Sequence, residues 1–232
     1  KCNEKKKTRR IIKVILMIIL TLGIVCLCAF TAFLIYIKNQ ADPKYITSKL
    51  DTQENTIFLD IENREYAKLG SEMREKVTYD ELPEVLIDAI IATEDSRFFQ
   101  HNGFDAPRFI KASIGQVMKK LLHRGNNAGG ASTLTMQVVK NSLTNAKATE
   151  NVEGIIRKFE DIYLSIFKLE KNYSKQQIIE YYVNNHYLGG SIYGVQEAAE
   201  AYFGKSASEL NLSEAAVIAG MFKSPGYYSP IE

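Results

Sequence analysis

The sequence has no tryptophan and only three cysteines in 232 residues, and all three cysteines lie within the first 28 positions. Residues 29–232 therefore contain no cysteine that could form a disulfide, so a domain there must be held together by its hydrophobic core. There are no internal repeats, and no low-complexity segments outside a basic N-terminal tail. The length and composition favour one ordinary globular domain with a short appendage.

Charge is absent from residues 14–37. As a helix this run would be about 36 Å long, which is enough to cross a hydrocarbon core of roughly 30 Å. Seven basic residues and one acidic residue precede it in residues 1–13. The positive-inside rule therefore predicts a single-pass anchor with a cytoplasmic N-terminus and the rest of the chain outside. A cleaved signal peptide is the alternative, but the run is unusually long and no clear small-x-small cleavage site follows it.

The net charge of +2 conceals a division along the chain. Outside the tail remain 22 of the 29 basic residues and 26 of the 27 acidic ones, so this larger part carries about −4. The positive charge is concentrated beside the apolar run, where it suits the anionic lipids of an inner leaflet. This distribution argues against a nucleic-acid partner.

Beyond residue 55 the pattern predicts a mainly α domain with a small β-hairpin. Residues 56–61 and 65–69 are predicted strands joined by a turn at 62–64. Helical periodicity begins near residue 79. Helices are predicted at residues 81–92, 108–122, 133–143, 150–169, 175–184, 195–203 and 213–222. The predicted organisation is a basic tail (1–13), a transmembrane helix (14–37), a polar linker (38–55) and one domain (56–232).

Two adjacent carboxylates end an apolar segment. Glu94 and Asp95 follow residues 86–92, which are largely apolar. A carboxylate in this position loses solvation, which suits a general acid or base. A polar helix end with an acidic turn is the structural alternative.

Four blocks follow one another in the sequence. Residues 94–103 read E-D-S-R-F-F-Q-H-N-G, residues 130–137 read G-A-S-T-L-T-M-Q with K-N at 140–141, residues 157–161 read R-K-F-E-D, and residues 175–184 read K-Q-Q-I-I-E-Y-Y-V-N. Their order and spacing resemble the peptidoglycan glycosyltransferase domain of class A penicillin-binding proteins and monofunctional transglycosylases. The resemblance covers about residues 55–230 and implies a lysozyme-like fold. That family continues with one more helix carrying an Arg-containing motif, so the domain is expected to be C-terminally truncated.

The resemblance implies an enzyme of the bacterial cell membrane that polymerises lipid II into glycan strands. The acceptor's 4-hydroxyl would attack the donor's anomeric carbon with inversion, and polyprenyl pyrophosphate would leave. Glu94 matches the family's first catalytic Glu and is the expected general base. The second catalytic carboxylate belongs at the fifth position of the third block, which is Asp161 here, with Glu160 as its rival. Asp95 is expected to fix local structure.

The second and third blocks supply the expected substrate-binding residues. In the second block a helix is predicted to begin after a flexible run, and its free N–H groups would favour a phosphate there. An ordinary N-cap is the alternative. An Arg-Lys pair is suited to clamping a pyrophosphate, although a solvated charge pair is the alternative. Met136 departs from the family pattern, where Gln is usual. The predicted substrate-binding residues are Ser132, Thr133, Gln137, Lys140, Asn141, Arg157 and Lys158.

No cofactor is expected to be required. A divalent cation, Mg²⁺ or Mn²⁺, could neutralise the pyrophosphate, but the sequence suggests no dedicated cluster of metal ligands. His101 is expected to be a buried histidine bonded to the backbone, with a proton shuttle as the alternative. Expected partners are lipid II, the nascent glycan strand and the membrane, and cell-wall synthesis proteins are further candidates.

Residues 108–122 form an amphipathic pattern with interleaved basic side chains. A core-facing helix would explain it, and so would a helix lying in the membrane interface, which is favoured because the family's membrane-dipping subdomain falls here.

Two other functions are compatible with the fold, because a fold does not fix a function. One is a lysozyme-like enzyme that cleaves glycan, which would not need Lys140, Arg157 and Lys158 as a pyrophosphate clamp. The other is a non-catalytic cell-wall scaffold, which Met136 and Asp161 favour and the retained Glu94 opposes.

Overall fold

The computed structural model describes residues 2–51, 56–69, 73–122, 130–144 and 152–230. Some predicted segments lie partly outside the described residues: the tail (residue 1), the linker (52–55), the long helix (150–151) and the end of the chain (231–232). In the described parts the chain is mainly helical with a small hairpin, so the predicted fold class is confirmed.

Helix α1 (Cys2–Ala41) contains the uncharged run. It is long and apolar enough to cross a membrane, with a most apolar window of mean hydropathy 2.8 that is not buried. The helix ends near two charges, Lys38 and Asp42, and leads into two 3-10 turns, Asp42–Lys44 and Thr47–Lys49. The segment predicted as a polar linker (38–55) contributes two buried residues, Ala41 and Leu50, to the core of the domain.

Two short pairs of strands accompany the helices. Strands β1 (Thr56–Leu59) and β2 (Glu65–Leu69) form the predicted antiparallel hairpin. Strands β3 (Met73–Arg74) and β4 (Ile192–Tyr193) pair in parallel. Two residues in each strand give too little periodicity for sequence analysis to find, and their pairing depends on the tertiary fold.

The helices form around a common core. They are α2 (Glu84–Glu94), α3 (Ala106–Leu122), α4 (Leu134–Val138) continued by a π-helical segment (Val139–Thr144), α5 (Val152–Leu164) continued by another (Ser165–Leu169), α6 (Glu170–Asn172), α7 (Lys175–Asn185), α8 (Val195–Phe203), α9 (Leu212–Lys223) and α10 (Pro225–Tyr228). Helix α2 packs on α9, α4 on α7, and α1 on α5. Large buried side chains such as Leu86, Phe98 and Tyr182 fill the space between them.

The predicted helix at residues 81–92 begins later than expected. Residues Tyr79–Glu81 form a separate 3-10 turn whose capping box pairs Thr78 with Glu81. Pro83 disfavours a helical conformation at the preceding residue, Leu82, which is extended, and Pro83 is itself the extended N-cap of α2. The helix also ends two residues later than predicted, at Glu94.

Helix α3 exposes an apolar stripe. Ile110, Ile114 and Met118 are 57%, 58% and 46% exposed, and their spacing of four residues puts them on one side of the helix. Ala112 is buried, so the helix also faces the domain. The stripe is of the kind that an interfacial helix presents to lipid.

Candidate active site

A cleft of about 340 Å³ lies where α2, α4, α5 and α9 come together. It joins residues from three of the four sequence blocks. Its lining consists of Thr93, Glu94, Arg108, Gly130, Ser132, Met136, Gln137, Lys140, Lys158, Asp161, Phe222 and Lys223. Two carboxylates and four cationic side chains therefore face the same space, which suits an anionic substrate that reacts beside a carboxylate.

Glu94 ends helix α2 and is half-buried at the edge of the cleft. Its Oε2 accepts a hydrogen bond of 2.7 Å from Nε2 of Gln137. Two predicted site residues from different blocks thus meet. The bond fixes the orientation of the carboxylate.

Asp95 serves the local structure. Its carboxylate is fully buried, and it accepts from the backbone N–H of Leu134 at 3.0 Å and lies 3.1 Å from Nε2 of His101. This arrangement ties the end of α2 to the start of α4. The expectation that His101 bonds the backbone is wrong, because the side chain of Asp95 is its partner.

Arg108 was not predicted as a site residue, yet it lines the cleft. Its Nη1 donates to the backbone oxygen of Glu94 at 2.8 Å and lies 3.5 Å from Oδ1 of Asp95. The guanidinium therefore caps the last turn of α2. The sequence signal was weak, because Arg108 lies 14 residues from Glu94 within the amphipathic pattern of α3.

Ser132 and Thr133 have different positions. Ser132 lines the cleft, and its Oγ accepts a hydrogen bond of 2.7 Å from Nζ of Lys158. Thr133 is fully buried as the N-cap of α4, where its hydroxyl accepts from Met136 N–H and donates to the Gly103 oxygen. The prediction that the Thr133 side chain binds substrate is therefore corrected to helix capping.

The π-helical turn after α4 contains the next two predicted substrate-binding residues, Lys140 and Asn141, whose side chains have different surroundings. Lys140 is exposed and lines the cleft. Asn141 does not contribute to the lining, and its Nδ2 lies 3.3 Å from Nδ1 of His186. Nε2 of the same ring lies 3.0 Å from the Phe222 oxygen, and burial lowers the pKa of His186 to about 4. Asn141 thus braces a neutral histidine behind the cleft wall.

Helix α5 supplies the second carboxylate of the cleft. Burial raises the pKa of Asp161 to about 6, although Thr144 Oγ1 donates to its Oδ1 at 3.1 Å and nearby cations oppose the shift. Burial also lowers the pKa of Lys158. Arg157 does not line the cleft, but its positive charge adds to the lowering of the Lys158 pKa and opposes the rise of the Asp161 pKa.

Glu160 points in another direction. It is 3% exposed, does not line the cleft, and its Oε2 lies 2.5 Å from Nζ of Lys44 in the turn after α1. The geometry thus places Asp161, and not its rival, in the same cleft as Glu94.

One group of metal-type ligands occurs in the part of the chain that the structure describes, although none was evident from the sequence. It comprises Asp95, His101 and Asp105. These carboxylates already accept hydrogen bonds: Arg97 forks onto Asp105, which also accepts from the N–H of Arg108. The hydrogen bond from Arg97 holds the pKa of Asp105 below its usual value. The group fits an internal hydrogen-bond network better than a cation.

Comparisons with known proteins identify the family of this chain. A family model described as Transglycosylase matches residues 62–232. Penicillin-binding protein 1A/1B of Bacillus subtilis (strain 168) is 41% identical over 191 residues, covering 82% of this chain and 20% of that relative. Penicillin-binding protein 1A of Clostridium tetani is 39% identical over 230 residues, covering 98% of this chain and 28% of the relative.

The crystal structure of penicillin-binding protein 1A from Haemophilus influenzae aligns with 75% of this chain and 14% of its own at 24% identity, with a TM-score of 0.34, too low to support an inference. The chain spans between a fifth and just over a quarter of the length of the two curated relatives. The family match over most of the chain nevertheless shows that it belongs to the transglycosylase family, the glycosyltransferase domain of class A penicillin-binding proteins.

Proposed function

We propose that this chain is a membrane-anchored peptidoglycan glycosyltransferase that polymerises lipid II into glycan strands. The observation that supports it most is that one cleft holds Glu94 and Asp161 together with the cations Lys140 and Lys158. A carboxylate base and a cationic site for a leaving pyrophosphate are what this transfer requires.

Glu94 acts as the general base in the proposed reaction. It removes the proton from the acceptor's 4-hydroxyl as that oxygen attacks the anomeric carbon of the donor. The bond from the anomeric carbon to the phosphate oxygen breaks, the configuration inverts, and polyprenyl pyrophosphate leaves with the bonding electrons. The hydrogen bond from Gln137 keeps one Glu94 oxygen occupied, so the other faces the acceptor.

The pyrophosphate binds at the cationic side of the cleft. Lys158 is already oriented by its bond to Ser132, and Lys140 is exposed beside it. These charges stabilise the negative charge that develops on the leaving group. Arg157 adds positive potential from behind Lys158, as its influence on the pKa of that lysine indicates.

Asp161 is the proposed second catalytic carboxylate. It lies on the same helix as Lys158 and interacts with it electrostatically. The negative charge of Asp161 opposes the lowering of the Lys158 pKa by burial and so favours the charged ammonium in the cleft. We propose that no cofactor is required and that Mg²⁺ or Mn²⁺ enters, where it acts, together with the pyrophosphate.

Helix α1 would anchor the enzyme with its N-terminus in the cytoplasm and the catalytic domain outside. The stripe on α3 (Ile110, Ile114 and Met118) would lie against lipid, close to where the polyprenyl chain enters. The proposed partners are therefore the membrane, lipid II and the growing strand, with cell-wall synthesis proteins as further candidates.

Lipid II labelled in its pyrophosphate separates this function from glycan cleavage. A glycosyltransferase releases labelled polyprenyl pyrophosphate as strands lengthen, and it does not shorten purified uncrosslinked strands. An enzyme of the lysozyme-like alternative would shorten those strands and leave lipid II intact, and a scaffold would do neither.

A further inference from the structure

Helix α5 lines the cleft with one side and packs against the proposed membrane anchor, helix α1, with another. Lys158 and Asp161 face the cleft, whereas the side chains of Phe159, Glu160 and Tyr163 face α1 and the turn that follows it. Because 3.6 residues complete a turn, these two sets lie on different sides of one helix. A displacement on the anchor side therefore moves the catalytic side as well.

The anchor side of α5 is held by specific contacts. The ring of Phe33 meets that of Phe159 edge-on at 5.1 Å. Asp42 accepts from Tyr163 Oη at 3.0 Å and pairs with Lys168 at 2.9 Å. The segment leaving α1 is thus fastened to the helix at several points over about two turns.

Among these contacts, the ion pair between Lys44 and Glu160 is the closest in sequence to Asp161. The Glu160 carboxylate is buried, with 4% of its side chain exposed, and its charge is met by the ammonium of Lys44 at 2.5 Å. Residue 160 is adjacent to Asp161. A buried carboxylate needs a partner of opposite charge, and breaking such a pair leaves an uncompensated charge.

We propose that Lys44 is a positioning residue for the Asp161 carboxylate, acting through Glu160, so that the turn after the anchor helix belongs to the catalytic apparatus. The inference rests on the proposed function. Lys44 does not line the cleft, so its proposed role is indirect. The Lys44 ammonium neutralises the charge of Glu160 beside Asp161 and holds α5 in its position relative to the cleft.

Electrostatics supports this geometry. Asp161 interacts with Lys158, Arg157 and Glu160 on its own helix, and with Thr144 from the neighbouring π-helical turn. The other charged side chains that line the same cleft are Glu94, Arg108, Lys140 and Lys223. The negative charge of Glu160 raises the pKa of Asp161. Loss of the Lys44 charge leaves the buried Glu160 carboxylate uncompensated beside Asp161, so protonation of Asp161 is favoured up to a higher pH.

The test compares three changes in the complete chain: Lys44→Met, Lys44→Arg, and Lys44→Met combined with Glu160→Gln. We expect Lys44→Met to lower kcat for lipid II polymerisation roughly tenfold or more with KM nearly unchanged, because a misplaced catalytic group costs rate rather than binding. The acidic limb of its pH–rate profile should move to higher pH. Arginine should restore both quantities, and the double variant should return to the values of Glu160→Gln alone.

Lys76→Met is the control for the loss of a paired lysine, because Lys76 forms an ion pair of 2.6 Å outside the cleft with Asp51, whose carboxylate is exposed and does not need the partner. It should leave kcat and the acidic limb unchanged. Unchanged kcat and pH profile in Lys44→Met would overturn the inference. So would a loss that persists in the double variant, because that loss would come from missing side-chain packing.

A second measurement does not depend on turnover. The Asp161 carboxyl is titrated by ¹³C NMR in aspartate-labelled protein, with its signal assigned by its absence from Asp161→Asn. Its midpoint should rise in Lys44→Met and return in the double variant, and an unmoved midpoint would overturn the inference. If the unmodified chain made no glycan, the proposed function would fail while this titration still decided the role of Lys44.

Discussion

Nε2 of Gln137 donates a 2.7 Å hydrogen bond to Oε2 of Glu94, joining the second sequence block to the first. The bond orients the proposed base. Gln137→Leu should lower kcat by about tenfold, the equivalent of one ordinary hydrogen bond, while the protein stays folded. Steady-state polymerisation kinetics and the thermal unfolding midpoint check this, and a kcat equal to that of the unmodified chain would remove Gln137 from the mechanism.

The two carboxylates of the third block should differ in their effect on rate. Asp161 lines the cleft, whereas Glu160 pairs with Lys44 on the opposite side of α5. Asp161→Asn should therefore lose most of the polymerisation rate, and Glu160→Gln should keep most of it. The reverse ranking in the same assay would make Glu160 the second catalytic carboxylate.

The buried Asp161 should also make stability depend on pH. Its pKa in the folded chain is about 6, above the ordinary value of 3.8, so ionisation opposes folding. The stabilisation from the protonated form is complete below about pH 4 and is lost as pH rises through 6. Asp161→Asn should be more stable than the unmodified chain at pH 7.5 by on the order of 2–3 kcal/mol.

Thermal unfolding in detergent at pH 7.5 and pH 4 measures this difference. The advantage of Asp161→Asn should shrink to near zero at the lower pH. An advantage that is independent of pH would show that the carboxylate is not desolvated as its burial indicates.

Thr133 should affect stability rather than substrate binding. Thr133→Val removes the N-cap bond to Met136 and the bond to the Gly103 oxygen, which should destabilise the fold by about 1–3 kcal/mol. Thr133→Ser keeps both bonds and is the matched control. A large rise in KM for lipid II with unchanged stability would restore the substrate-binding role.

Long periodic segments could be predicted from the sequence, and short or distant contacts could not. The helix at residues 195–203 was found with its observed bounds, because its apolar period and the glycines on both sides are local signals. The two-residue strands β3 and β4 carry no such signal, since more than a hundred residues separate Met73 from Ile192.

The site was predictable to the extent that its residues occur in the four blocks. Five residues that were predicted from those blocks line one cleft: Glu94, Gln137, Lys140, Lys158 and Asp161. Arg108 and Lys223 were missed, because they lie outside the blocks and reach the cleft only through the packing of α3 and α9. Thr133 was misread because a threonine that caps a helix and one that binds a phosphate have the same sequence context.

Polymerisation of lipid-linked disaccharide-pentapeptide by the purified, detergent-solubilised chain, compared with its Glu94→Gln variant, tests the central claim most directly. The account predicts long glycan ladders on a gel from the unmodified chain. It predicts none from Glu94→Gln, whose thermal unfolding midpoint should stay close to the original, because loss of a general base costs roughly 10²–10⁴ in rate. Near-normal ladders from the variant would contradict the role of Glu94, and no ladder from either protein would contradict the proposed function of this chain.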